Sequence, residues 1–388
     1  MKGWRKFRLG DGCITNANSY TPKEKWKFVN YLDTGNITDN KINAIQYIDI
    51  ENEKLPSRAR RKVQENSIIY STVRPKQRHF GIIKNQPDNF LVSTGFVVID
   101  VNESILDADF LYYLLTQNKV VEKLHIIAEQ SVSTYPSIKP LDIENLEISI
   151  PDIVVQKRIA SILGCLDKKI EQNNMINKNL LQQAGAVFDK FYEESPNQQS
   201  FTSFIRVLGG GTPKTGNSDF WNGPIPFFTP KDVGVPYTFQ TEKHITEYGL
   251  AHCNSRLYQK DTTFVTARGT VGKVSLAGTP MAMNQSCYAL VSDVTDPLLV
   301  YFYVLKAVAS LKHKASGAVF DAIVTRDFDS ETINLLSNND SKSVLSIIRP
   351  MMEAIHNNSK ENIRLVAFRD SLLPRLMLGK LDVSKVDL

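Results

Sequence analysis

The chain has 388 residues, 46 Lys+Arg against 41 Asp+Glu and a formal charge of +5, long enough for two to three domains and too mildly basic for a histone-like polycation. With 42% hydrophobic residues and no apolar run near the ~20 residues of a bilayer span, the composition argues for a soluble globular protein and no membrane role. The start MKGWRKFRLGDG has no secretion-type apolar stretch, and Cys13, Cys165, Cys253 and Cys287 form no C-x-x-C pair, so a cytoplasmic chain with reduced thiols is expected.

Residues 1–150 mix β-rich runs, IIYSTV (68–73) and FLVSTGFVVI (90–99), with polar turns and one helical pattern, DADFLYYLLTQNKVVEKLH (107–125). That mixture predicts an α+β domain closed by Pro151. Over 151–199 the texture changes. Ile159, Leu163, Leu166, Ile170, Asn173, Asn177, Leu180, Ala184, Val187 and Phe191 recur at alternating steps of four and three, a heptad seam on a helix from Asp152 to Glu194. Ser195-Pro196-Asn197 breaks it, and a second mixed α+β domain over 200–338 carries the turns GGGTPKTG and NGPIPFF. Residues 339–388 supply another long helix, Asp340 to about Leu378.

Adding 185 to each seam position gives Val344, Ile348, Met351, Ile355, Asn358, Asn362, Leu365, Arg369, Leu372 and Leu376, so both Asn steps recur in register and only Ala184/Arg369 breaks the match. The globular parts correspond more loosely. IYSTVRP (69–75) resembles FVTARGT (264–270), aligning Arg74 with Arg268, and FLYYLL (110–115) resembles LVYFYVL (299–305). The expected fold class is therefore α+β: a pseudo-twofold tandem repeat of two globular mixed domains joined by two long antiparallel coiled-coil helices. Antiparallel pairing brings Asn173 near Asn362 and Asn177 near Asn358, where a polar layer fixes register, the alternative being a solvated helix face.

Catalytic signatures are missing. GTVGKV (269–274) has the wrong spacing for a phosphate loop, there is no G-x-G-x-x-G, H-E-x-x-H or N-P-P-[FYW] string, and the six histidines form no metal-ligand spacing, His252-Cys253 reading as structural. No catalytic residue, metal ligand or cofactor is assigned to this chain. Binding signals are richer. In the window 54–84, Lys54, Arg58, Arg60, Arg61, Lys62, Arg74, Lys76, Arg78 and Lys84 face the single acid Glu65, a local +8 interleaved with His79 and neutral polar groups. Such density suits phosphates and, through Arg, guanine edges; a solvated charged face is the alternative. The second domain is near neutral, with 12 basic against 11 acidic residues over 200–338. Its loops offer Thr212 and Lys214 in GGGTPKTG, Thr229 and Lys231 in FFTPKD, Arg268 and Lys273 in ARGTVGK, and Asn284 and Gln285 in NQS, the Asn and Gln types pairing bidentately with adenine. Each of these, taken singly, also suits a turn or cap.

LPSRARRK (55–62), YSTVRP…RHFGI (70–82) and LVSTGFVV (91–98) resemble one class of target-recognition domain in the specificity subunits of type I restriction-modification systems. GGGTPKTGNSDFWNGPIPFFTPKDV (209–233) and ARGTVGKV…NQSC (267–287) resemble another, and IPDIVVQKRIASILGCLDKKIE (150–171) resembles the linker helix between them. The second linker departs from the pattern by lacking Gln-Lys-Arg-Ile-Ala and carrying Pro350, which disfavours a straight helix start. The resemblance implies a non-catalytic subunit that binds double-stranded DNA, each recognition domain reading half of a bipartite site. It also implies two modification subunits that bind S-adenosylmethionine and methylate adenine N6 on a flipped base, and a restriction/translocase subunit using ATP and Mg²⁺. Helix length agrees: Ile159 to Phe191 spans about 50 Å, some 14 base pairs. The differing loops predict an asymmetric site with an unread spacer. Two other classes remain: a non-DNA coiled-coil scaffold, and a DNA-modifying enzyme with unrecognised catalytic residues.

Overall fold

In the computed structural model, which describes residues 3–131, 135–314 and 322–383, the apolar run 90–99 does not form one strand. It turns at Thr94-Gly95 into strands Phe90–Ser93 and Phe96–Val101, which lie in different sheets. The turn is packed so closely that a Cβ on Gly95 would meet Thr34 Cγ2 at 2.8 Å. The single helical pattern 107–125 likewise divides. Asp107 caps helix Ala108–Leu115 by accepting from Phe110 N at 2.9 Å, and extended backbone at Gln117 precedes a second helix, Asn118–Glu129. The freed Thr116 carbonyl accepts from Arg78 Nη2 at 3.3 Å.

The chain divides into two units, one within Met1–Lys169 and Leu365–Leu388, the other within Ile170–Arg364. In the first, one sheet has strand order Gln46–Asp49, Phe28–Leu32, Phe90–Ser93, Ala59–Lys62, with the middle pair parallel. The other is antiparallel, ordered Cys13–Thr15, Phe96–Val101, Ile68–Ser71, Phe80–Ile82. The second unit repeats this plan. Its antiparallel core runs Arg206–Gly209, Cys287–Val291, Thr263–Thr266, Val274–Ala277, and its mixed sheet runs Lys243–Ile245, Trp221–Phe228, Ala282–Met283, again with one parallel pair. Each unit is also clasped by a short antiparallel pair, Arg5–Arg8 with Glu147–Ile150 and Gln198–Ser200 with Thr332–Asn334. The tandem repeat is thus written in the strand pairing as well as in the helices.

The long helices are Ile153–Glu194 and Asn338–Met377, of 42 and 40 residues. Asp152 caps the first by accepting from Val155 N at 3.0 Å, and Ser337 caps the second by accepting from Asp340 N at 3.1 Å. The second runs uninterrupted through Pro350 and Pro374. Helix segments complete both cores. Ile159, Leu163, Leu376 and Met377 are buried with Leu9, Phe110 and Leu111 in the first unit. Ala184, Phe188, Val344, Ile348, Met352 and Ile355 are buried with Phe201 and Tyr303 in the second. Among the described residues no helix is long and apolar enough to cross a membrane.

Two polar layers interrupt the seam within the second unit. Asn173 Nδ2 donates to Asn362 Oδ1 at 2.9 Å and to Glu361 Oε2 at 2.8 Å, and Asn358 Nδ2 donates to Asn177 Oδ1 at 2.9 Å. The 185-residue repeat interchanges the two Asn pairs, since it carries Asn173 onto Asn358 and Asn177 onto Asn362. Asn173 is 1% exposed and its Oδ1 has no hydrogen-bond partner, so this layer carries a desolvation cost of about 1–3 kcal/mol. Replacing Asn173 and Asn362 together by Leu is expected to raise the melting temperature by about 2–4 °C. The same pair of changes should relax register, read as loss of a unique disulfide between Asn177→Cys and Asn358→Cys; a lower melting temperature would show the layer to be net stabilising.

The break in the repeat, Ala184 against Arg369, has a local cause in the first unit. Arg369 Nη1 donates to Asp167 Oδ1 at 2.6 Å, and the Tyr113 hydroxyl donates to Asp167 Oδ2 at 2.6 Å. Burial and the Asp167 charge hold the Tyr113 hydroxyl well above the usual phenol range. The repeat-related positions carry Ala184, Met352 and Phe302, all buried apolar residues. Arg369→Ala alone is expected to cost about 1–3 kcal/mol by stranding Asp167. Adding Asp167→Met and Tyr113→Phe, the apolar solution of the other unit, should restore most of that in a urea unfolding titration.

Candidate nucleic-acid interface

In the first unit the basic window is folded onto acids from elsewhere in the sequence. Lys62 pairs with Glu24 and lies over Trp26; Lys76 Nζ reaches Glu122 at 3.1 Å; Lys84 Nζ reaches Asp109 at 2.8 Å. Arg78 is the most engaged. Its Nε donates to Asp39 at 2.6 Å, its Nη1 to Asn118 at 3.1 Å and its Nη2 to Thr116 O, while the guanidinium covers Phe80. His79 Nδ1 lies 2.5 Å from Ile37 O and 3.2 Å from Thr38 Oγ1. Five cations of the window, Lys54, Arg58, Arg60, Arg61 and Arg74, make no ion pair among the described residues. Arg58 is exposed; burial pushes the Tyr31 hydroxyl up, with the Arg58 charge opposing. Arg60 and Arg61 sit on strand Ala59–Lys62, with Arg61 Nε buried and unpaired.

Arg74 is exposed, stacked on Tyr135 with its guanidinium carbon 5.6 Å from the ring centre, and held at φ 49°. Its equivalent in the second unit is not Arg268. Thr72 O accepts from Ile138 N just as Ala267 O accepts from Ile323 N, and Val73 bridges Ser137 as Arg268 bridges Ala322. The frame therefore places Arg74 opposite Gly269, and both adopt left-handed backbone, φ 49° and 80°. One residue of slip separates the two arginines, so they leave their strand ends on different courses.

In the second unit the Gly-rich segment serves packing. A Cβ on Gly210 would lie 2.1 Å from Asn284 O and one on Gly211 2.6 Å from Asn254 N, and Gly211 N itself donates to Met283 O at 3.2 Å. Gly210 thus seats the turn at 284–286, and Gly211 spends its N–H on Met283 O. Beside that turn an open cleft of about 390 Å³ is lined by Thr229, Lys231, Glu242, Lys243, Arg268, Asn284 and Ser286, with Pro230 and Gly269 at its wall. Asp232 organises one side. Its Oδ2 accepts from Thr229 N at 2.8 Å and Thr229 Oγ1 at 2.6 Å, while its Oδ1 accepts from Glu242 N at 2.8 Å. A second cleft of about 240 Å³ shares Glu242 and Lys243 and adds Thr215, Trp221, Asn222 and His244.

Of the residues expected in this unit, Thr229, Lys231, Arg268 and Asn284 come together in the cleft. Thr212 instead hydrogen-bonds Gln285, Lys214 is exposed with its carbonyl accepting from Trp221 Nε1 at 3.3 Å, and Lys273 is exposed on the hairpin turn. Glu242 and Lys243 were not signalled by any motif, and Ser286 lies in NQS without having been singled out. Glu242 and Lys243 arrive by the antiparallel pairing of Trp221–Phe228 with Lys243–Ile245, a long-range pairing that leaves only a short alternating string, TEKHI, in the sequence. Among the described residues no group of three His, Cys, Asp or Glu side chains is placed to hold a metal ion.

Residues 1–182 and 201–365 each match the type I restriction modification DNA specificity domain. The chain belongs to that family. It is similar to the HindI type I restriction enzyme specificity subunit of Haemophilus influenzae, 25% identical over 98% of this chain and 100% of that one. It is also similar to the putative MjaX specificity subunit of Methanocaldococcus jannaschii, 22% identical over 98% and 94%. The crystal structure of the type I restriction-modification S subunit from M. genitalium shares the fold, with TM-score 0.58 and 15% identity over 96% of each chain. As a specificity subunit, the chain is the non-catalytic, DNA-sequence-recognising part of a restriction-modification complex and works with partner subunits on DNA.

The ion pairing divides the basic residues of this specificity subunit into two groups with separable behaviour. Arg78→Ala is expected to cost about 1–2 kcal/mol in urea unfolding, because it releases Asp39, Asn118 and the Thr116 carbonyl together. Arg58→Ala, exposed and without an ion pair, should stay within about 0.5 kcal/mol of wild type.

Proposed function

We propose that each unit reads one half of an asymmetric bipartite DNA site separated by an unread spacer. The first unit presents Arg58, Arg60, Arg61 and Arg74 to the duplex, with Lys62, Lys76, Arg78 and His79 serving mainly to fix their surroundings. The second unit reads through its cleft, with Arg268 and Lys231 on phosphate or guanine and Asn284 on a base edge. Thr212, Lys214, Lys273 and Gln285 lie outside the cleft lining and contribute backbone contacts at its margins. The convergence of Thr229, Lys231, Arg268 and Asn284 from three separate loops on one cleft carries this reading.

In the same proposal two modification subunits hold S-adenosylmethionine and methylate adenine N6 on a base turned out of the duplex, and a restriction/translocase subunit supplies ATP- and Mg²⁺-dependent work. This chain binds none of these cofactors and positions the DNA for its partners. The differing loops and charge of the two units make the half-sites unlike each other.

The test is to express the chain with its modification subunits in a host and map N6-methyladenine across the genome. A bipartite motif with unlike halves is expected. Arg74→Ala should weaken selection in one half and Arg268→Ala in the other, each lowering the salt slope of binding by about one for every phosphate left without its cation. Methylation without a bipartite motif, or equal loss in both halves from either variant, would count against the assignment.

A further inference from the structure

The cleft of the second unit contains one carboxylate that phosphate binding does not explain. Glu242 is 62% exposed at its side chain, lines both clefts, and lies 3.9 Å from Lys231 Nζ. Facing a polyanion, such a group is repelled, so an acid among Lys231, Lys243 and Arg268 weakens non-specific binding. The backbone that carries it is nevertheless built. Asp232 Oδ1 accepts from Glu242 N, and the preceding Thr241, 9% exposed, accepts from Phe227 N at 3.0 Å and donates to Lys243 O at 2.6 Å. The same Asp232 fixes Thr229 on its other oxygen, so the spacing between the Glu242 backbone and the Thr229–Lys231 turn is set by one side chain.

In the major groove a carboxylate has one productive partner type, an exocyclic amino group. Cytosine offers N4–H₂ with no acceptor beside it on its own edge, whereas adenine sets N7, an acceptor that repels the carboxylate, next to its N6. The guanine paired with that cytosine turns O6 and N7 toward the same groove, and these suit a flanking Lys or Arg. We infer that Glu242 is a specificity-determining residue that reads the cytosine of a C·G pair in the half-site of the second unit, with Lys243 or Arg268 on the paired guanine and Lys231 on phosphate. This rests on the proposed DNA-reading role of the cleft and adds an acid reader to its cations.

The experiment compares genome-wide N6-methyladenine maps from the chain expressed with its modification subunits, as wild type, Glu242→Gln, Glu242→Ala and Lys231→Ala. Glu242→Gln should lose about tenfold or more of the preference for C·G at one position of one half-site and gain tolerance for A·T there, because Gln pairs with adenine. The other half-site and the melting temperature should not change. Glu242→Ala should relax the same position without the gain, and Lys231→Ala should lower methylation at all sites with a shared motif. If both Glu242 variants keep the wild-type motif and bind all DNA more tightly with a steeper salt slope, Glu242 only moderates charge and the proposal fails. A wild type that yields no bipartite motif overturns the underlying reading instead.

Discussion

The constraint on which the rest depends is that neither α+β unit closes its core with the strands and short helices of its own globular segment. In the first unit the buried cluster takes Ile159 and Leu163 from the helix that follows the domain and Leu376, Met377 and Val383 from the far end of the chain. In the second it takes Ala184 and Phe188 from one long helix and Val344, Ile348, Met352 and Ile355 from the other. Burying the Ile, Leu, Val, Phe and Met side chains among these contributes about 1.5–3 kcal/mol each, so both long helices add substantially to the stability of each unit. Because apolar contact is non-directional, the seam alone would accept several registers. The Asn layers, by contrast, form directional hydrogen bonds, Asn173 to Asn362 and Asn358 to Asn177, at the expense of a buried carbonyl, Asn173 Oδ1, that bonds to nothing.

Duplication supplied two copies of this plan, and the copies have diverged in how they solve identical packing problems. At one repeat-related position the first unit uses the polar set Tyr113, Asp167 and Arg369, and the second an apolar set, Phe302, Met352 and Ala184. At the strand end after the central antiparallel sheet, the first unit strains Arg74 into left-handed backbone where the second has Gly269. The backbone is held in common while the side chains at the loop ends are free to change, which is the division of labour a sequence-reading module needs.

Fold class and family were legible in the sequence because the strongest signals there are periodic or local. The heptad breaks at Asn173, Asn177, Asn358 and Asn362 recur at one offset, and the compound motifs fill whole loops. What was illegible depended on distance along the chain. The run 90–99 has the apolar pattern of one strand, and the turn that divides it is held by bonds to distant backbone, Thr94 N to Arg58 O and Thr72 N to Gly95 O. The window 54–84 shows +8, yet Glu24, Asp39, Asp109 and Glu122 fold back onto four of its cations. The equivalence of Arg74 and Arg268 slipped by one because local similarity is strong and the deciding marks, the Val73–Ser137 and Arg268–Ala322 bridges, pair residues more than fifty positions apart.

Net charge therefore says little about which half of the chain reads DNA more selectively. Once its ion pairs form, the first unit keeps Arg58, Arg60, Arg61 and Arg74 outside any ion pair among the described residues, the first three on or beside strand Ala59–Lys62, an arrangement suited to affinity and to guanine contacts. The second unit, nearly neutral, concentrates acceptors, donors and cations around a cleft on one side of which a single carboxylate, Asp232, ties Thr229 to the Glu242 backbone. Ordering those groups before DNA arrives reduces the entropy lost on binding. Opposed charges held side by side weaken attraction to any phosphate backbone and strengthen discrimination among base edges. On the proposed reading of the cleft, a near-neutral surface with a fixed polar pattern is in this sense the more selective design, and the charge imbalance between the two units would divide affinity from specificity.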